Sequence, residues 1–261
     1  MPVDWLRRAT GRPPLVIAHR GSSGAAPENT LSSFELAVAQ GARAVECDVV
    51  LAADGTPVVI HDTTLDRTTT GKGNVADHAW PTLATLDAGA WKGAGHAGER
   101  LPRLGDLLAV AAGRARVVIE LKAGDPGALT EATRAAIAAS PGVEVGVISF
   151  VPDVVRAVRA TLPGVAVGYL YWSRQPFSND PAAMIAIARD LGAHFIGPET
   201  VLATAALCRA AHDAGLPVST WTANDTAQML ELAANGVDAI TTDWPDRALA
   251  ALCATDRPLT A

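Results

Sequence analysis

Eight short apolar runs, separated by stretches with helical spacing, constrain this chain more than any other feature. They are Leu15–Ala18, Ala44–Val50, Val117–Leu121, Val145–Ser149, Ala166–Leu170, Phe195–Gly197, Val218–Trp221 and Ala239–Thr241. Short, near-continuous apolar runs of this kind suit strands buried on both faces, as in a parallel sheet. The stretches between them include PDVVRAVRATLPG, DPAAMIAIARDLGA and NDTAQMLELAANG, and several close on Gly, as a position just past a helix end prefers. Eight strands alternating with helices in 261 residues predict an α/β fold, a (β/α)8 TIM barrel. A doubly wound open sheet is the runner-up, because a pattern of runs does not show closure. The length suits one domain, expected over residues 1–261.

One connection breaks the alternation. After the second run, LAADGTPVVIHD places Asp54-Gly55 between apolar segments, a hairpin signal. A long segment rich in Thr, Gly, Pro and Trp follows, far beyond an ordinary strand-to-helix loop. It predicts an insertion at about residues 62–101, over the C-terminal mouth where barrel enzymes keep their sites.

Composition narrows the functional classes. Hydrophobic residues make up 49% and charged residues 18%, enough for a large core. The formal net charge of -6 lacks the footprint of a nucleic-acid or anionic-membrane binder. The three cysteines, Cys47, Cys208 and Cys253, form no C-x-x-C pair, so neither a disulfide framework nor a thiolate zinc site is expected. With no apolar leader and no long apolar window, the expectation is a cytoplasmic protein without stable membrane association. The sequence carries no signal for oligomeric state.

The chemistry gathers at the strand ends. Side chains alternate along a strand, so Glu46 and Asp48 in AVECDVV share one face while Cys47 joins the core on the other. Two acids facing a barrel axis need a cation or a donor to offset their desolvation, which favours a metal or catalytic role over a buried ion pair. In VVIELK, Glu120 and Lys122 share a face. Three converging carboxylates suit a hard cation, Mg2+ or Ca2+ alike, although a Glu120–Lys122 pair at a loop edge is an equal reading of that strand. His19 and His61 each end an apolar run, whereas His78, His96 and His212 are expected to be solvated and His194 is ambiguous. Imidazoles exchange protons near neutral pH, and Arg20 offers the planar fork that phosphate favours.

Taken in order, these segments resemble the glycerophosphodiester phosphodiesterase family. The resemblance rests on HRG and PENT at His19–Gly21 and Pro27–Thr30, ECD at Glu46–Asp48, DGTPVVIHD at Asp54–Asp62, LDRTTTGKG from Leu65 and ELK at Glu120–Lys122. Weaker echoes are SF at Ser149–Phe150, WTAN at Trp221–Asn224 and DAITTDWP at Asp238–Pro245. The resemblance implies a (β/α)8 barrel and hydrolysis of small glycerophosphodiesters to sn-glycerol 3-phosphate and an alcohol. It implies His19 and His61 as the acid–base pair, Arg20 and Lys122 as phosphate contacts, and Glu46, Asp48 and Glu120 as ligands of one divalent cation. Glu28 and Asn29 are expected to support the site from behind. Asp62 either orients His61 or ends the hairpin, and Trp221 either packs on the glycerol moiety or caps the barrel core.

Three rival readings stay open. A lysophospholipase D would need an apolar groove, which Trp80 and Trp91 could supply if they are not the insertion's own core. A sugar-phosphate isomerase or aldolase barrel would not need three metal-binding carboxylates. A phosphate-binding protein without catalysis would not need both His19 and His61.

Overall fold

Parallel strands cannot be joined by tight hairpins, so each must be followed by a crossover, and here every crossover is helical. The structure is a computed structural model and describes residues 3–122 and 124–254. The expected single domain runs over residues 1–261, of which 1–2, 123 and 255–261 lie outside the described residues. Strands are β1 (Leu15–His19), β2 (Ala44–Leu51), β3 (Pro57–Val59), β4 (Arg116–Leu121), β5 (Val145–Ser149), β6 (Ala166–Tyr171), β7 (Phe195–Pro198), β8 (Ser219–Thr220) and β9 (Ala239–Thr242). Helices are α1 (Leu31–Ala39), α2 (Trp80–Leu83), α3 (Leu104–Ala111), α4 (Pro126–Ala138), α5 (Pro152–Thr161), α6 (Pro181–Asp190), α7 (Ala205–Asp213), α8 (Thr226–Asn235) and α9 (Pro245–Ala254). All eight strands expected from the apolar runs are present, each boundary within one residue of its expected place.

Hydrogen-bonded neighbours run in the order β7-β6-β5-β4-β2-β1-β9-β8. Parallel bridges Ile196–Val218 and Glu199–Trp221 join β7 to β8 and bring the sheet round into a barrel. That pairing excludes the open doubly wound sheet. Only β3 lies outside the ring: it returns antiparallel on β2, with Val49 opposite Val59 and Leu51 opposite Pro57. This is the hairpin that Asp54-Gly55 signals, and Gly55 takes the left-handed φ of 80° that the turn requires.

The helices begin where side chains can accept their free N–H groups. Thr30, Asp125, Asp180, Thr204 and Asp225 each accept a first-turn backbone hydrogen bond. Helix α8 stops at Gly236, whose φ of 97° is left-handed.

Three apolar clusters hold the architecture. The largest lies between strands and helices and takes in Val45, Cys47 and Val49 from the outer face of β2. A second sits inside the barrel floor, where Val3 and Leu6 plug the ring against Ile17, Ala44, Val118, Ala166, Phe195 and Ala239. The third belongs to the hairpin and the long connection after it: Val50, Val58 and Ile60 pack with Leu65, Val75, Leu83, Ala88 and Leu101. With its floor filled, the barrel is open to chemistry only at the C-terminal ends of the strands. No helix among the described residues is long and apolar enough to cross a membrane.

Candidate active site

Parallel register sets the acids side by side. Asp48 of β2 lies opposite Glu120 of β4, and Glu46 lies opposite His19 of β1. Glu46, Asp48 and Glu120 are buried, and each offers one oxygen within 4.8 Å of the others. Two cations are threaded among them. Lys122 Nζ stands 2.7 Å from Asp48 Oδ1 and 2.6 Å from Glu120 Oε1, and Arg20 Nε stands 3.1 Å from Asp48 Oδ2. Burial pushes the Asp48 carboxyl upward, but Lys122 and Arg20 outweigh it and hold the group well below the usual carboxylate range. At Glu46 the balance reverses: burial first, then Asp48 and Glu120 beside it, outweigh the pull of Arg20 and Lys122 and push it well above its ordinary value. Burial also raises Glu120 to about 7, against the pull of Lys122.

A divalent cation fits these residues. Three buried acids face two basic side chains, so one negative charge is left for a proton or a metal to meet. Asp48 Oδ1 is buried and lacks a well-aligned hydrogen-bond donor, despite the nearby ammonium. The donors are oxygens alone, which suits a hard ion.

The loop after β1 is bent to serve this cluster. Arg20 takes a left-handed φ of 55° and Gly21 one of 81°. At Gly21 a Cβ would come 2.4 Å from Ser33 Oγ, so no larger residue fits. The non-glycine left-handed conformation at Arg20 costs on the order of 1–3 kcal/mol and needs fixed partners. Ser33 Oγ and the Asn29 N–H both donate to the Arg20 carbonyl, while the Arg20 N–H donates to Glu46 Oε2. Asn29, itself left-handed at 59°, donates its amide to Asp48 Oδ2 at 2.8 Å.

Both histidines carry an aspartate on the same ring nitrogen. His19 Nδ1 meets Asp243 Oδ1 at 2.6 Å, and His61 Nδ1 meets Asp62 Oδ1 at 2.6 Å. Burial works against the Asp243 charge, but its bond to His19 lowers it to about 2; a bond from Arg67 above all lowers Asp62 to about 2. Ionised carboxylates only accept, so the hydrogen sits on Nδ1 of each ring and Nε2 is left for the reaction. Burial lowers the pKa of His61, which favours its neutral form.

Behind Asp62 lies a chain of alternating charge. Arg67 donates to Asp62 at 2.7 and 3.2 Å and to Glu28 at 2.8 Å through two nitrogens. Glu28 in turn accepts from Arg20 at 2.8 Å. His61 and Arg20 are therefore tied together through Asp62, Arg67 and Glu28, the first two of which belong to the connection at 62–101. That connection also touches the β1 loop directly, through Lys92 Nζ on the Ser23 carbonyl.

Opposite the charged side is an apolar wall. A cavity is lined by His19, Glu46 and Glu120 on one side and by Ile148, Leu170, Phe195 and Trp221 on the other. The Trp221 ring stands edge-on to Phe150 at 5.3 Å, and its N–H donates to the Gly197 carbonyl.

The structure thus gathers His19, Arg20, Glu46, Asp48, Glu120 and Lys122 into one cluster. Trp221 lies across the cavity, and His61 is joined to the cluster through the Arg67 chain. Asp62 orients His61, so it is more than a hairpin-end residue. Trp80 packs on the connection's own cluster, whereas Trp91 is 39% exposed. His212 is paired with Asp238 at 2.7 Å, so it is not merely solvated; His194 contacts Arg159, and burial first, then that cation, lowers it to about 4. Sequence reasoning assigns no role to Asp243, Asn224 or Arg67, although all three stand inside the motifs DAITTDWP, WTAN and LDRTTTGKG. Their signal is a polar residue in a motif without an obvious partner; Asp243 finds His19 only when β9 closes beside β1.

Residues 19–247 match the model of the glycerophosphoryl diester phosphodiesterase family. A glycerophosphodiester phosphodiesterase of Caldanaerobacter subterraneus is 35% identical over 236 residues, spanning 89% of this chain and 95% of the relative. An Oleispira antarctica phosphodiesterase, solved in complex with the product sn-glycerol-3-phosphate, superposes with a TM-score of 0.86 at 31% identity, over 92% of this chain and 97% of its own. A glycerophosphodiester phosphodiesterase from Agrobacterium tumefaciens superposes with a TM-score of 0.77 at 31% identity, over 91% and 99% of the two chains. The chain belongs to the glycerophosphoryl diester phosphodiesterase family.

Proposed function

We propose that this protein hydrolyses glycerophosphodiesters to sn-glycerol 3-phosphate and an alcohol, using one divalent cation, Mg2+ or Ca2+, held by Glu46, Asp48 and Glu120. The observation that carries the reading is the meeting of three buried carboxylates with two aspartate-oriented histidines at one barrel mouth.

A phosphodiester resists attack because its negative charge repels nucleophiles. A divalent cation bound there supplies positive charge for the phosphate oxygens. Arg20 has Nη1 on Glu28 and Nε beside Asp48, which leaves Nη2 to reach a phosphate oxygen. Lys122 has three protons, donates one to Glu120 and faces Asp48 as an ion pair, so a donor remains for the substrate. Both are fixed before substrate arrives and need little rearrangement as charge develops. One histidine takes the proton of the attacking hydroxyl through Nε2, and the other gives its Nε2 proton to the departing alcohol. Such assistance is worth about 10²–10⁴-fold in rate. Trp221 packs on the carbon skeleton of the substrate in the cavity. Residues 62–101 act with the barrel as one catalytic unit, because Arg67 ties them to the site.

The test is release of glycerol 3-phosphate from glycerophosphocholine by the purified protein supplied with Mg2+ or Ca2+. Release that falls sharply in His19→Ala and in His61→Ala supports the reading. No release with either cation overturns it.

A further inference from the structure

The peptide unit between Ser23 and Gly24 is held at both ends by distant parts of the chain. Lys92 Nζ donates to the Ser23 carbonyl at 2.6 Å, and the Gly24 N–H donates to the Asp243 carbonyl at 2.9 Å. A peptide unit is planar, so two such bonds fix how it faces. Gly24 leaves no room for a side chain, since a Cβ there would come 2.4 Å from the Trp244 ring. The loop after β1 is thus pressed against the residues that follow β9 on one side and tied to the connection at 62–101 on the other.

That placement sets the Ser23 side chain. Its hydroxyl donates to Asp243 Oδ1 at 3.0 Å, the same oxygen that meets His19 Nδ1 at 2.6 Å. Asn224 donates to the other oxygen at 2.6 Å. A carboxylate pinned by one donor on each oxygen can still rock about the axis joining them, and a second donor on Oδ1 resists that motion. The one hydroxyl proton of Ser23 goes to Asp243 and not to a neighbour in its own loop. Lys92 is half-buried, although a lysine ammonium is strongly hydrated and ordinarily stays in water. The other histidine has a matching arrangement: Asp62 accepts from Arg67, and both belong to the same connection as Lys92.

We propose that Ser23 is a positioning residue for His19 and that Lys92 sets Ser23, so that residues 62–101 brace this histidine through Lys92, Ser23 and Asp243 as they brace the other through Arg67 and Asp62. The relay rests on the acid–base reading of His19 above and adds two residues that act from behind the imidazole. It keeps Nε2 of His19 aimed into the cavity. Ser23 also draws negative charge from Oδ1, which tempers the pull of Asp243 on the Nδ1 proton.

The experiment pairs kinetics on glycerophosphocholine with the ring-nitrogen resonances of nitrogen-15-labelled protein, read without substrate. Ser23→Ala removes the hydroxyl and leaves the backbone bonds of the loop. It should lower kcat about three- to tenfold, the worth of one hydrogen bond, with KM nearly unchanged. Ser23→Thr keeps a hydroxyl and should recover most of the rate. Lys92→Met keeps the unbranched stem without the charge and should lower kcat in the same sense. Added to Ser23→Ala it should slow the enzyme little further, because both act through one hydroxyl. The His19 resonances should shift in Ser23→Ala and in Lys92→Met while those of His61 stay in place. His19 resonances unmoved in both variants, or kcat within about twofold of the wild type in both, overturn the relay. A KM that rises as far as kcat falls, with the His61 resonances moving too, marks a general loosening of the mouth and overturns it as well. A wild type that releases no glycerol 3-phosphate overturns the hydrolytic reading instead, and the His19 resonances then decide the relay alone.

Discussion

His19 and Asp243 are separated by 224 residues in the chain and meet at 2.6 Å. The closure of β9 beside β1 makes that contact, and the partners of Asp243 fix its direction. Asn224 donates to its other oxygen at 2.6 Å and accepts from its backbone N–H at 2.9 Å. Replacing Asp243 by Asn should keep the Asn224 bond and turn an N–H toward His19. The imidazole would then be held with its hydrogen on Nε2, the wrong tautomer for a base. We expect kcat to fall by about 10²–10⁴-fold with a much smaller change in KM. Steady-state kinetics on glycerophosphocholine checks this, and a variant at the wild-type rate would remove Asp243 from the mechanism.

Arg67 is exposed, yet it braces two of the groups proposed to act in the reaction. It holds Asp62, which orients His61, and Glu28, which positions Arg20. Surface ion pairs contribute little to stability as a rule, so Arg67→Ala should leave thermal unfolding within a few degrees. Catalysis should suffer more: kcat should drop and KM should rise together, each by roughly tenfold, since both the histidine and the phosphate contact lose their anchor. Lys cannot make two forked contacts at once, so Arg67→Lys should recover little. Full recovery by Lys would mean that charge alone, and not the fork, is what matters.

The raised carboxyls give the metal-free protein a distinctive pH response. Glu46 and Glu120 ionise in the folded state at higher pH than in the unfolded chain, Glu120 at about 7. Between their unfolded values near 4.3 and about pH 7, the native state holds more protons than the unfolded state. Their contribution to stability is therefore present at low pH and is lost as pH rises through that window. Asp62 and Asp243 act oppositely: their folded values near 2 give stability above about pH 4 that is lost on acidification toward 2. In chelator, melting temperature should fall between pH 5.5 and 8, by roughly 2–4 °C for each kcal/mol lost. Saturating Mg2+ or Ca2+ should flatten that fall, because the cation takes the place of the protons. Scanning calorimetry at the two pH values, with and without metal, reads the difference; equal slopes would argue against a cation at these acids.

The barrel strands are legible in the amino-acid sequence because each is covered on both faces and shows as a near-continuous apolar run. The charged residues can be paired by face because strand alternation is strict: Glu46 with Asp48, and Glu120 with Lys122. The supporting layer is harder to read. Asp243, Asn224 and Arg67 act through contacts between distant segments, and their spacing in the chain says nothing of that. Glu28 is expected behind the site, but its two arginine partners, which lie on different loops, are not legible in the sequence.

The proposed reaction depends on one divalent cation held by Glu46, Asp48 and Glu120. The direct measurement is titration of the chelator-treated protein with Mg2+ or Ca2+, following bound metal by calorimetry and glycerol 3-phosphate release in the same samples. One equivalent of bound metal is expected, with activity rising with it from a baseline near zero and both lost in Asp48→Asn. Full turnover after exhaustive chelation, or undiminished binding and activity in Asp48→Asn, would remove the cation from the reaction.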